Sequence, residues 1–251
     1  MPLRIRAWEA WAGPLLADKK AWREWAASDP EWNSVLTQTP PVSPMPPLLR
    51  RRADPADRLG LEVAFRLAPS ARIPTVFASR HGQVARSVSM LQARNAGEPA
   101  SPMDFSLSVH NAAAGQYSIA KGDRSPSSSL SSRGESFTAA LLEAQGMVLE
   151  GHDEVLVVMS DSMPPGIFRE GWDREPAGYA FGLILGAAES GPAGGGKAGG
   201  NSETFEMSLG ESEAGADSAL PQALVFLKAL AGGGRRASWS RGGRRWDWVR
   251  A

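Results

Sequence analysis

The chain has 251 residues and 27 basic against 27 acidic side chains. It is long enough to bury a sizeable core as one domain, and it has no global charge favouring nucleic acid or an anionic membrane surface. It contains no cysteine, which excludes disulfides, thiolate metal sites and a cysteine nucleophile. Charges at Arg4, Arg6 and Glu9 interrupt what would be the apolar core of a secretory leader, and no window approaches the ~20 apolar residues of a membrane span. A cytoplasmic protein with no metal and no cofactor is the expectation.

Leu3 to Trp11 alternates apolar and charged positions, which suits a strand. Asp18 to Ala27 suits a short helix with Trp22 and Trp25 on one face. Five prolines between Thr39 and Pro47 rule out regular structure there. Arg50, Arg51 and Arg52 form a basic cluster, either a solvated face or a docking point for an acidic protein. Asp54-Pro55 is an N-cap followed by proline at the first helical position, predicting a helix to about Leu67.

Ile73 to Ala78 reads as a short apolar strand. The turn Ser79 to Gln83 then opens a helix through Val84, Val88 and Leu91. A polar turn between strand and helix is where α/β folds hold ligands, which makes His81 a candidate. From Ser106 a polar, glycine-punctuated run leads to Arg124, and an extended serine-rich segment covers Pro126 to Ser132. Gly134 makes a sharp turn into a helix starting at Glu135, with Phe137, Ala140, Leu141, Ala144 and Val148 on one face. Val155 to Met159 and Gly178 to Leu185 read as buried strands.

Residues 189–218, including GPAGGGKAGG, are expected to be a flexible glycine-rich loop, and the absence of GxxxxGK[ST] removes a phosphate loop. Ala219 to Leu230 suits a helix, followed by a tail with six arginines and three tryptophans. That tail is an edge strand guarded by arginines, a last strand whose tryptophans cap the core, or a basic aromatic patch. The expected organisation is one main unit at 1–188, the loop at 189–218, and a helix plus an Arg/Trp-rich strand at 219–251 packed on the same unit.

The motifs SRHGQ (Ser79 to Gln83), SPMDFSLSVHNA (Ser101 to Ala112), GDRSPSSSLSSRGES (Gly122 to Ser136) and EVLVVMSDSMP (Glu154 to Pro164) resemble, in this order, the N-terminal half of β-ketoacyl synthases, which have the thiolase-like fold. The resemblance covers about Leu3 to Leu185. It is narrower still with the small chain-length-factor-like subunits of aryl-polyene and related pigment pathways. It implies an α/β fold of about one half of a ketosynthase, with a mixed central sheet flanked by helices. In that family an extended segment pairs across the dimer two-fold and then delivers a catalytic cysteine at a turn into a buried helix. Carried over residue by residue, the cysteine position falls on Gly134, which cannot attack. The family's acyl chain is held as a thioester, and nothing here supplies a thiolate. The chain's only histidines, His81, His110 and His152, do not match the family's catalytic pair.

Two functions follow as expectations. The first is a non-catalytic subunit pairing with a full-length ketosynthase as a heterodimer, or as a homodimer, through an interface of Phe105, Val109, Asn111, Ser127, Ser129, Leu130 and Ser131. An acyl carrier protein would dock on Arg50, Arg51, Arg52, Arg244 or Arg245. The second is an acyl-carrier-dependent decarboxylase or acyltransferase using His81, His110 and a serine near the turn. Glu135 is a further candidate there, its carboxylate stabilised by the helix dipole. No GxSxG elbow surrounds these serines.

Overall fold

Strand β4 (Val155–Asp161) shows why the sheet is central: all seven of its residues are buried. Val155, Val157 and Met159 join one apolar cluster, while Leu156 and Val158 join another on the opposite face. A strand covered on both faces carries an unbroken apolar run, as this one does. The computed structural model describes residues 2–13, 18–28, 39–70, 72–99, 101–163, 165–168, 178–188, 203–213 and 215–251.

Eight strands form one mixed sheet in the order β3-β2-β4-β5-β1-β6-β8-β7. They are β1 (Leu3–Ala12), β2 (Thr75–Ala78), β3 (Ser127–Leu130), β4, β5 (Tyr179–Ala187), β6 (Glu203–Glu211), β7 (Arg236–Arg241) and β8 (Arg244–Arg250). Only β3, β2 and β4 run parallel; the remaining pairs are antiparallel. On one face lie α3 (Pro55–Leu67) and α6 (Ala112–Lys121), packed around Phe77, Leu156 and Val158. On the other lie α7 (Ser136–Leu149) and α8 (Gln222–Gly232), with Trp22 and Trp25 of α1 (Lys19–Ala27) joining the same cluster. Shorter helices are α2 (Pro47–Arg50) and α5 (Pro102–Ser106), and α4 (Val84–Asn95) follows the β2 turn.

The expected mixed α/β architecture is what forms, and the caps act where the sequence puts them. Asp54 accepts from the Asp57 amide at 2.8 Å and Asp18 from the Lys20 amide at 2.8 Å. Two expectations are corrected, and one run that the sequence left unassigned takes its structure here. The polar run before Arg124 holds α5, capped by Ser101 with Pro102 behind it, and α6, closed by Gly122 in the left-handed conformation (φ 59°). The stretch 189–218 is not all loop, because Glu203–Glu211 is β6, pairing with β1 and β8; residues 189–202 lie outside the described ones. The arginine-rich tail is a hairpin of two strands, β7 and β8, turned by Gly242 and Gly243 at φ 58° and 80°. Its Trp239 and Trp248 are fully buried, so they cap the core.

Helix α3 crosses β5 closely enough to require Gly182, where a Cβ would lie 2.6 Å from Val63 Cγ1 and 2.7 Å from Leu67 Cδ1. Gly182→Ala is expected to destabilise the chain by about 1–3 kcal/mol through overpacking, measured as a lower midpoint in urea unfolding.

Candidate functional site

The C-terminal ends of β2, β3 and β4 meet at one place, which is where parallel α/β sheets hold ligands. Here that place is filled. Arg80, just beyond β2, and Asp161, the last residue of β4, form an ion pair at 2.7 Å with side chains only 2% and 1% exposed. The Arg80 amide also donates to Asp161 at 2.8 Å, and the Tyr179 hydroxyl donates to the same carboxylate at 3.2 Å. From beyond β3, the Ser131 hydroxyl donates to the Arg80 carbonyl at 2.8 Å. A buried, multiply hydrogen-bonded pair of this kind keeps the three strand ends in register and occupies the space between them.

The turn into α7 is closed from above by the C-terminal hairpin. A Cβ at Gly134 would lie 3.3 Å and 3.4 Å from the Trp239 ring. Glu135 is ion-paired with Arg244 at 2.7 Å, which makes its carboxylate a structural partner. The left-handed residue at this turn is Arg133 (φ 49°), while Gly134 has no positive φ, so the conformational strain falls one residue earlier than expected. Ser136, fully buried, accepts from the Ser132 amide at 2.9 Å and donates to the Arg133 carbonyl at 2.7 Å. Its hydroxyl is spent on closing the Ser132–Ser136 turn.

His110 lies between the elbow and the sheet edge. Its Nε2 is 2.8 Å from the Leu130 carbonyl, which only accepts, so Nε2 carries the proton. Its Nδ1 sits against Gly82, where a Cβ would come within 2.3 Å and where φ is 53°. His110 therefore braces β3 against the β2–α4 turn. His81 stays in that turn, half-buried, with its carbonyl accepting from the Val84 amide at 3.3 Å.

Beneath His110 is a buried polar group absent from the sequence reading. Asp57 of α3, 2% exposed, accepts from Gln83 Nε2 at 2.6 Å and Gln116 Nε2 at 3.0 Å. Both glutamine Oε1 atoms are buried without a partner, and a cavity of about 20 Å³ lined by Asp57, Gln83, Ser160 and His110 has room for one water. Burial first, and the neighbouring Asp54 carboxylate second, push the Asp57 pKa from 3.8 up to about 7.

The outer edge of β3 is open among the described residues, because β3 ends the sheet. The ladder to β2 uses the backbone groups of Pro126, Ser128 and Leu130, so those of Ser127 and Ser129 point outward. A groove of about 530 Å³ runs between this edge and α6, lined by His110, Asn111, Ala114, Gly115, Ser118 and the two serines. The Ser129 Oγ is buried there without a partner. Phe105 and Val109 are 69% and 49% exposed, Asn111 and Ser131 are exposed, and Leu130 is half-buried against the core.

The basic candidates divide into two groups. Arg51 and Arg52 are exposed after α2 and Arg50 half-buried, their backbone pinned by Arg58 to the Arg50 carbonyl at 2.9 Å and Arg86 to the Arg52 carbonyl at 3.1 Å. Arg244 is engaged with Glu135, and Arg245 with Asp247 at 3.0 Å. Burial raises the Asp247 pKa, but hydrogen bonds from Ser238, Arg236 and Arg245 outweigh it and hold the carboxyl below the usual range.

Residues 22–249 match the family model described as β-ketoacyl synthase, N-terminal domain. The chain belongs to the β-ketoacyl synthase family. Among solved structures it is similar to a chain of the ketosynthase ApeO in complex with its chain length factor ApeC from Xenorhabdus doucetiae, with 26% identity, a TM-score of 0.84 and 100% of both chains covered. It is also similar to the ishigamide ketosynthase/chain length factor, with 12% identity, a TM-score of 0.72, and 100% and 99% covered. A third is AntDE:AntF, a type II polyketide synthase acyl-carrier protein in complex with its ketosynthase, with 13% identity, a TM-score of 0.59, and 84% and 70% covered. No match was found among curated protein sequences. The ketosynthase fold therefore spans the whole chain, including the C-terminal hairpin that the resemblance in sequence did not reach. Among the described residues no helix is long and apolar enough to cross a membrane.

The acidic side chain at the end of β4 and the basic one just after β2 were visible as Asp161 and Arg80 at the close of two apolar runs. Their pairing needed the knowledge that β2 and β4 are adjacent and parallel. Asp57 was hidden among the first-turn residues of a well-capped helix.

Because the Asp57 pKa is raised on folding, the folded state holds its proton more tightly than the unfolded chain does. The associated stability is present below about pH 4 and is lost as pH rises through about 7. Relative to wild type, Asp57→Asn is expected to remove this decline, an effect on the order of 4 kcal/mol at most between pH 4 and 8, read from Tm against pH.

Proposed function

We propose that the chain is a ketosynthase-like subunit that performs no condensation of its own. In this reading it pairs with a complete ketosynthase in acyl-carrier-protein-dependent polyketide assembly of the aryl-polyene type and shapes its acyl tunnel as a chain length factor. The observation that carries the reading is the contrast between a closed elbow and an open edge. Gly134, under Trp239, has no side chain to acylate, and Arg80 with Asp161 occupies the space at the strand ends. Beside it, β3 offers two residues' outward backbone groups and an orphaned Ser129 hydroxyl. An edge strand with unpaired donors and acceptors is a template for strand addition. The similarity to a ketosynthase–chain length factor complex supports the same reading.

The alternative, a decarboxylase or acyltransferase, needs a serine activated by a histidine. The hydroxyls of Ser131 and Ser136 donate to backbone carbonyls, and the His110 Nδ1, the ring nitrogen left to act as a base, is packed against Gly82, which weighs against it. For a carrier protein, Arg51 and Arg52 are the better docking candidates. Arg244 and Arg245 already have carboxylate partners.

Co-expression with a full-length ketosynthase, followed by size exclusion, is expected to give a 1:1 complex. Ser129→Pro removes an outward amide without touching the β2 ladder and is expected to weaken the complex at least tenfold with little change in the chain's own Tm. A wild-type chain that never co-elutes overturns the pairing. Incubated with malonyl- or acyl-carrier protein, both wild type and Gly134→Cys are expected to show no added mass. An adduct on wild type, lost with His110→Ala, would favour the enzymatic reading instead. Charge reversal by Arg51→Glu with Arg52→Glu is expected to abolish a carrier-protein association that weakens steeply with salt.

A further inference from the structure

At the opposite end of the sheet from β3, the last strand is β7, which pairs only with β8. The two-residue turn at Gly242 and Gly243 makes Arg241 and Arg244 a hydrogen-bonded pair. Every second pair beyond it bonds likewise, out to Arg235, whose carbonyl accepts from the Arg250 amide at 2.9 Å. The backbone groups of Arg236, Ser238 and Ser240 therefore point away from β8. Those of Ser240 are satisfied: its amide donates to the Ser218 hydroxyl at 3.0 Å, and its carbonyl accepts from the Ser218 amide at 2.8 Å. Arg236 and Ser238 have no such cover among the described residues.

Charged side chains lying across a strand edge commonly block it. Here Arg236 is drawn off the edge onto the neighbouring strand, where it meets Asp247 of β8 at 2.9 Å, and the Ser238 hydroxyl donates to the same carboxylate at 2.5 Å. Arg245 also pairs with Asp247, at 3.0 Å, so two guanidiniums share one negative charge and the edge stays net positive. Against the other face of β7, a groove of about 560 Å³ opens towards α8. Ala26, Ala229, Gly232 and Gly234 line it with little side-chain bulk, and the charged residues in its lining, Lys228 and Arg236, are both basic.

We propose that the outer edge of β7, with the groove beside it, is a strand-addition site for an extended acidic segment of another protein. The segment's backbone completes the bonding of Arg236 and Ser238, its small side chains lie towards α8, and its carboxylates meet Arg236 and Lys228. A second copy of the chain is the wrong occupant, because a two-fold at this edge would set those cations against their own counterparts. The site lies at the far end of the sheet from β3 and stands independently of what pairs there.

The test is fluorescence anisotropy of the full chain with a labelled octapeptide that alternates glutamate with alanine and valine. Saturable binding that weakens as salt rises is expected, and lysine in place of glutamate is expected to weaken it about tenfold or more. N-methylation of the peptide separates strand addition from surface attraction. Only one alternate set of its amides faces β7, so methylating that set is expected to abolish binding and methylating the other to leave it. Equal tolerance of both sets overturns the proposal, as does a wild-type chain that shows no saturable binding. In the chain, Ser238→Pro removes an outward amide and is expected to weaken binding about tenfold or more. Ser238→Ala, which loses only the hydroxyl bond to Asp247, is expected to keep wild-type affinity. Lys228→Glu leaves the edge backbone intact and is expected to weaken binding as the proline does, so the test stays decisive if the proline variant does not fold. Self-association abolished by Ser238→Pro but not by Ser129→Pro would put a second copy on this edge and overturn the acidic occupant.

Discussion

The Arg80–Asp161 ion pair is the constraint on which the arrangement around it depends. It closes the C-terminal ends of β2 and β4, and it takes a hydroxyl from Tyr179 of β5 on one side while Ser131 reaches in from beyond β3 on the other. Two charges this deep are tolerable only because each is compensated at hydrogen-bond distance. The consequence is positional: the space between the strand ends is occupied, and the chain leaving β3 is directed into the Ser132–Ser136 turn at the head of α7.

Around that seal the molecule has two distinct surfaces. The elbow is roofed by a hairpin from the far end of the sheet, through Trp239 on Gly134 and Arg244 on Glu135. The β3 edge is left with outward backbone groups, an unpartnered hydroxyl and exposed apolar side chains on α5, α6 and α7. Polar groups buried without partners and apolar stripes left in water both cost free energy. The strand ends are filled while the β3 edge of the sheet is left open among the described residues. His110 links the two regions, since it braces the edge strand from below while lining the small cavity at Asp57.

Local signals were enough for most elements. Asp54-Pro55, the alternation in β1, the apolar run of β4 and the helical face of α7 each state their own structure, because caps and periodicity act within a few residues. The misses share a cause. In α6 the sequence AAAGQYSIAK has too few large apolar residues to display a period, and it is a helix because Ala114 and Tyr117 find Phe65 and Phe77. In β6 the pattern is half polar because only Phe205 is buried, and the strand exists because β1 and β8 pair with it from either side. Residue type marks Gly134 as the sharp turn into α7, yet the fold places the positive φ on Arg133.

By itself the sequence determined the absence of a thiolate, the mixed α/β character, the serine-rich extended segment and the helix behind it, because these depend on composition and on neighbours along the chain. Tertiary structure alone decided that the elbow is roofed, that Asp161 meets Arg80, that Asp57 is buried between two glutamines, and that β3 ends the sheet with its outer edge open among the described residues. Those facts join residues as far apart as Gly134 and Trp239, and such contacts arise only from the packing of whole elements.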